Sequence, residues 1–184
     1  EAAAFGLDAI GSFSTQAAFL DYDLDGDLDM FLLNHSKTFF SPFYNSTKLR
    51  NTRHPQFGNS LYRNDNNKFV NVSEAAGIYG SGLNFGLGVA ISDLNQDGLP
   101  DIYVSNDYDE QDFLYLNHGD GTFLEVSKKS FGHISKYSMG NDAADINNDG
   151  LSDLVTLDML PEDNFRQKLL KGQDEYSRYQ LAVD

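Results

Sequence analysis

One nine-residue pattern occurs three times in this chain and constrains its fold more than any other feature. It reads DYDLDGDLD at 21–29, DLNQDGLPD at 93–101 and DINNDGLSD at 145–153. Every copy has Asp at position one, Asp or Asn at three, Asp at five, Gly at six and Asp at nine. The first copy cannot be a plain strand, because a period of two would set five carboxylates on one face. It suits a helix no better, since Asp and Gly are poor helix formers. Such a segment is either disordered or built around a cation. Disorder of the whole chain is excluded by composition: 184 residues, 40% hydrophobic and 13% aromatic, can bury a core in one or two domains.

The repeat extends beyond the acidic stretches. SLYRNDNNKFVNVSEAAGIYG (60–80) parallels FLYLNHGDGTFLEVSKKSFGH (113–133), each a Leu-Tyr strand, a polar turn and a Phe strand. Asp21 to Asp93 spans 72 residues and Asp93 to Asp145 spans 52, and an insertion within 37–59 accounts for nearly all of the difference. Repeats of about 20–50 residues mark propellers and other arrays whose units need neighbours to bury a core. Short β-branched and aromatic runs flank the loops, AAFL and DMFLL around the first, GVAIS and DIYVS around the second. Each unit therefore reads as a small antiparallel sheet of four strands. The expected division is 1–8 as the tail of a preceding repeat, 9–80 as a repeat with the insertion 37–59, 81–133 as a second repeat, and 134–184 as an incomplete third. EAAAFG at 1–6 resembles SEAAGI at 73–78, and LPEDNFRQKLLKG (160–172) predicts a helix opening at Pro161-Glu162-Asp163 and closing at Gly172. The whole reads as a fragment of a longer array.

The loop chemistry favours calcium, a hard cation that takes six to eight oxygens. Positions one, three and five offer side-chain oxygens, Gly at six permits the sharp turn, seven offers a carbonyl and nine a last carboxylate. The expected ligands are Asp21, Asp23, Asp25, the Asp27 carbonyl and Asp29; then Asp93, Asn95, Asp97, the Leu99 carbonyl and Asp101; then Asp145, Asn147, Asp149, the Leu151 carbonyl and Asp153. Up to three Ca²⁺ are implied. An EF-hand needs Glu at position twelve and flanking helices, but Leu32, Val104 and Thr156 stand there and the flanks are strands. Magnesium prefers to keep its waters, and zinc would want His or Cys. The plainer alternative is a set of Asx-rich turns without metal.

On these residues a family resemblance rests. FGLGVAISDLNQDGLPD (85–101) resembles the FG-GAP repeat of integrin α-subunit propellers, and its core resembles the related VCBS repeat. DIYVSND, LYLNHGDGTF, SMGNDAADINNDGLSD and TLDMLPEDNFRQKLL resemble bacterial proteins of the ASPIC/UnbV type, relatives of cartilage acidic protein. The resemblance implies an all-β fold of β-propeller blades, about three four-stranded antiparallel repeats of a seven-bladed ring, with a short C-terminal helical segment and calcium in the outer hairpins. It also implies an extracytoplasmic place, secreted, periplasmic or at the cell surface. The chain departs from the pattern at Gln16, where Gly88 and Gly140 precede the other loops by five residues, and the first unit has no Phe-Gly pair before its loop.

Charge and composition narrow the function. A net charge of −15 argues against nucleic acid and anionic membranes. The absence of cysteine removes disulfides and thiol chemistry, and no run of about 18 apolar residues could span a membrane. The favoured reading is a calcium-stabilised scaffold for protein or carbohydrate binding or adhesion, without catalysis, its partners including the remaining blades of a parent chain. Insertion 37–59 is the candidate recognition surface, carrying Lys37, Lys48, Arg50 and Arg53 with Phe39, Phe40, Phe43, Tyr44 and Phe57. The alternative, that its aromatics pack on the neighbouring unit and its cations meet the acidic loops, is the preferred one. The rival class is a propeller segment of a polysaccharide lyase or hydrolase. Four scattered histidines and no nucleophile or zinc motif speak against it. Asp107, Asp109, Glu110 and Asp112 read as a solvated connection rather than a catalytic pair.

Overall fold

The structure, a computed structural model, describes residues 1–37, 46–108, 110–159 and 162–163. Residues 38–45 of the insertion, Asp109 and most of the expected 160–172 helix lie outside these. The first sheet is an antiparallel meander of β1 (Ser14–Leu20), β2 (Asp29–Asn34), β3 (Ser60–Asn64) and β4 (Phe69–Asn71). The second repeats it with β5 (Gly86–Ser92), β6 (Asp101–Asn106), β7 (Phe113–Asn117) and β8 (Phe123–Glu125). Among the described residues the third comprises β9 (Ser138–Ala144) and β10 (Asp153–Asp158), in the unit that the sequence reads as incomplete. The fold is mostly β, as the sequence indicates.

Each acidic nonapeptide joins the first two strands of its sheet. Leu20 pairs with Asp29, Ser92 with Asp101 and Ala144 with Asp153, so the loops are three equivalent hairpin tips. A register shift also recurs in every sheet, between Ser14 and Gln16, between Gly86 and Gly88, and opposite Leu157 and Asp158. Among the described residues, helical structure is confined to a single 3-10 turn (Ala2–Phe5), to α1 (Ser46–Arg50) in the insertion and to α2 (Ser127–Ser130).

The sheets pack face to face, and the alternation of side chains divides the core. Phe31, Leu33 and Leu61 of the first sheet meet Val89, Ile102, Val104, Phe113 and Tyr115 of the second. The opposite face of the second sheet presents Tyr103 and Leu114 to Leu154 of the third. That is why β6 is buried at every position. Turns close the units at equivalent points: a Cβ on Gly77 (φ 76°) would lie 2.7 Å from the Phe123 carbonyl oxygen, and one on Gly6 (φ 83°) would strike that of Phe69. The likeness of 1–6 to 73–78 thus has a physical basis in two left-handed glycines, each close to the last strand of a sheet.

The inner strands differ at their junctions. Gly88 brings β5 against β9 so closely that a Cβ there would lie 2.9 Å from Gly140 Cα. At the β1–β5 junction Gln16 fills the gap. Its Nε2 donates to the Val89 carbonyl (3.3 Å) and its Oε1 accepts from Val89 N–H (3.0 Å), so an amide side chain imitates a paired strand. The departure at Gln16 is a spacer, and the loop five residues on keeps the geometry of the other two.

The described half of the insertion is packed into the protein. Phe57 is buried and stacks on His54, with centroids 4.1 Å apart. Arg53 donates to the carbonyls of Ile78 (3.1 Å) and Asn59 (2.6 Å), and Arg50 pairs with buried Glu110 at 2.7 Å. The packing expectation holds for these residues, with one correction: Arg50 and Arg53 meet Glu110 and backbone carbonyls, not the acidic loops. The second acidic cluster also needs correcting. Asp107, Glu110 and Asp112 are buried. Asp112 accepts from Tyr103 Oη–H (2.7 Å) and Asn106 N–H (2.8 Å), and Glu110 accepts from Ser81 Oγ–H (3.0 Å). They are internal ties between segments, and a solvated connection does not describe them.

Candidate metal centre

The three hairpin tips share one hydrogen-bonding plan. The position-one carboxylate gathers amides from the turn ahead of it. Asp21 accepts from Asp25 and Gly26 (3.1 Å each), Asp93 from Gln96, Asp97 and Gly98 (2.7, 3.1 and 2.9 Å), and Asp145 from Asp149 and Gly150 (3.1 and 2.9 Å). The position-five carboxylate accepts from the N–H of position seven: Asp25 from Asp27, Asp97 from Leu99 and Asp149 from Leu151, at 2.8, 2.9 and 2.8 Å. At position three, Asn95 and Asn147 accept from Asp97 and Asp149 N–H, at 3.0 and 2.9 Å.

Backbone conformation follows from this plan. Position four is left-handed in every loop, at Leu24 (φ 60°), Gln96 (φ 64°) and Asn148 (φ 60°), and so is the glycine at position six. Left-handed Leu and Gln are uncommon, and the amides collected by the position-one carboxylate hold them there.

Position nine anchors the loop to the sheet. Asp29 accepts from Tyr22 N–H (3.1 Å) and Asn64 N–H (2.8 Å). Asp101 accepts from Leu94 N–H and Asn117 N–H (2.9 Å each). Asp153 accepts from Ile146 N–H (3.1 Å). Asp29 and Asp101 are fully buried, and burial pushes both carboxyls up from their ordinary value against the downward pull of those amides. Asn64 and Asn117 are positioning residues that the spacing argument passed over as turn residues. Their signal was present in the shared Leu-Tyr-x-Asn of LYRN and LYLN.

In the first loop the carboxylates converge. Asp21, Asp23 and Asp29 each bring an oxygen within 4.8 Å of the others, the one such acidic group found among the described residues. Asp23 is held by the Asp25 backbone, yet its Oδ1 is buried without a hydrogen-bond partner. Burial, then the neighbouring Asp25 carboxylate, pushes Asp23 up from its ordinary value. A buried anionic oxygen with no donor beside two like charges is costly unless a cation meets it. Asp25, expected in the same ligand set, lies outside that converging trio. The side-chain donors are all oxygens, which fits a hard divalent cation and not a soft one.

The architecture and the repeated tips define a class, repeat proteins of stacked antiparallel sheets with an acidic loop in the first hairpin of each. The FG-GAP-like repeat matches residues 21–104 and 93–156, well over half of the chain, and the chain belongs to that family. Among known proteins it is similar to a T-cell immunomodulatory protein homolog of Plasmodium yoelii yoelii, 26% identical over 148 residues, covering 74% of this chain and 20% of that protein. The chain therefore spans about a fifth of the length of the curated relative it matches. Among the described residues no helix is long and apolar enough to cross a membrane.

Proposed function

We propose that this chain is part of a calcium-stabilised, extracytoplasmic propeller scaffold, of the ASPIC/UnbV type by its motifs, that presents a surface for a protein or carbohydrate partner and performs no chemistry. One observation carries the reading: the orphaned Asp23 Oδ1 among the converging oxygens of Asp21 and Asp29, in a loop whose plan recurs twice more. Asp21, Asp23 and Asp29 would hold a Ca²⁺ in the first loop, with Asp25 and the Asp27 carbonyl completing the set. Asp93, Asn95, Asp97, Leu99 and Asp101 would hold a second, and Asp145, Asn147, Asp149, Leu151 and Asp153 a third. The ion supplies positive charge that offsets carboxylate repulsion and fixes the hairpin tips. Millimolar extracellular calcium would fill sites of this kind, whose dissociation constants run at about 10⁻⁴–10⁻³ M. A partner has a place beside the insertion, where Arg53, His54 and Pro55 face Asn71 and Glu74 across a cleft of about 740 Å³.

Thermal unfolding with and without calcium tests the reading. At 10 mM Ca²⁺, sites of that affinity contribute about 1.4–2.7 kcal/mol each. The midpoint then rises by about 2–4 °C per kcal/mol for a chain of this size. An identical midpoint in calcium and in excess chelator removes the calcium reading.

A further inference from the structure

The first two loops are joined by a short path of buried hydrogen bonds that crosses from one sheet to the other. In the first loop, Tyr22 donates its N–H to Asp29 Oδ2 (3.1 Å). The carbonyl of the same residue accepts from Asn117 Nδ2–H of β7 at 2.8 Å. Asn117 in turn donates its own N–H to Asp101 Oδ1 (2.9 Å), the position-nine carboxylate of the second loop. Asp29, Tyr22, Asn117 and Asp101 are all buried, and the Tyr22 ring packs against Phe123 of β8, with centroids 6.0 Å apart. Two residues therefore connect the two position-nine carboxylates.

Asn117 also donates to the Pro100 carbonyl of its own sheet (3.4 Å), as Asn64, which corresponds to it, does to the Leu28 carbonyl (3.1 Å).

We infer that the first and second loops bind cations cooperatively, with Asn117 as the positioning residue that couples them. The inference rests on the calcium reading above. An ion in the second loop fixes Asp101, and with it the backbone and side chain of Asn117. Tyr22 is then held before the first loop fills, so less ordering remains for the second binding event. By linkage the effect is reciprocal.

Terbium, a luminescent substitute for calcium, tests this directly, because Tyr22 is the only tyrosine within the three loops and can sensitise an ion bound beside it. Emission that disappears in Asp21→Ala reports the first loop. Disabling the second loop with Asp93→Ala should weaken terbium binding at the first about fivefold, the lower end of ordinary coupling. In an Asn117→Ala background the same substitution should change it less than about twofold, with coupling removed. Circular dichroism checks folding, and Asn117→Asp, which keeps the backbone N–H and loses the side-chain donor, replaces Asn117→Ala if that variant does not fold. Asp93→Ala alone decides the coupling if neither folds. Equal first-loop affinity with and without Asp93 overturns the inference, and so does an equal loss in both backgrounds. Binding at both loops without coupling overturns this inference only, whereas no uptake of terbium or Ca²⁺ by the unmodified chain overturns the calcium reading as well.

Discussion

Asp112 shows how a single carboxylate can be misjudged from its neighbours in the chain. Among Asp107, Asp109 and Glu110 it looks like part of a solvated acidic run, yet it is wholly buried beneath Tyr103 and Asn106. Charge patterning in one dimension cannot show that a tyrosine hydroxyl from one strand and an amide from its end converge on one side chain. Burial pushes the Asp112 carboxyl up from its ordinary value, against the pull of the Asn106 N–H and the Tyr103 hydroxyl. A raised folded value means that the group's stabilising contribution is present below the unfolded carboxylate value, about 3.9, and is lost as pH rises through the folded one. Asp112→Asn keeps the shape and discards the charge. It should be at least as stable as the unmodified protein at neutral pH, with any advantage shrinking toward about pH 4. Thermal midpoints of the two proteins across that range check the sign.

At the scale of elements, legibility followed the range of the interactions. The acidic tips were readable because their hydrogen bonds run from position one to positions five and six of the same loop. The strands around them were readable for the same reason, as short β-branched runs bounded by turns. What one strand needs from another was not readable, as Gly88 and Gly140 illustrate. The two glycines look equivalent in sequence, but a Cβ on Gly88 would lie 2.9 Å from Gly140 Cα and 3.0 Å from Asn141 N, whereas one on Gly140 would meet nothing within 4 Å among the described residues. Gly88→Ala should therefore cost about 1–3 kcal/mol through overpacking between β5 and β9. Gly140→Ala should stay within about 0.5 kcal/mol of the unmodified protein. Urea midpoints at constant slope separate the two outcomes.

Over the whole molecule, the insertion proves to be a fastening as far as it is described. Arg50 lies on α1, sixty residues before its partner Glu110, and the pair joins the insertion to the end of the second sheet. Glu110 is buried, so Arg50→Ala leaves a charge without its ion-pair partner and should cost about 3–5 kcal/mol. Adding Glu110→Gln should recover part of that loss, and denaturant unfolding of the single and double variants would measure it. The sequence located this segment and its aromatic and basic character. It could not say which of those groups turn inward, because their partners come from residues far along the chain. The amide of Gln16 also has a meaning at this scale. One junction between sheets is bridged by a side chain, whereas at the next two backbones meet with Gly88 against Gly140. A ring closed from such units would lack perfect rotational symmetry, its circumference marked at the one place where an amide stands in for backbone contact.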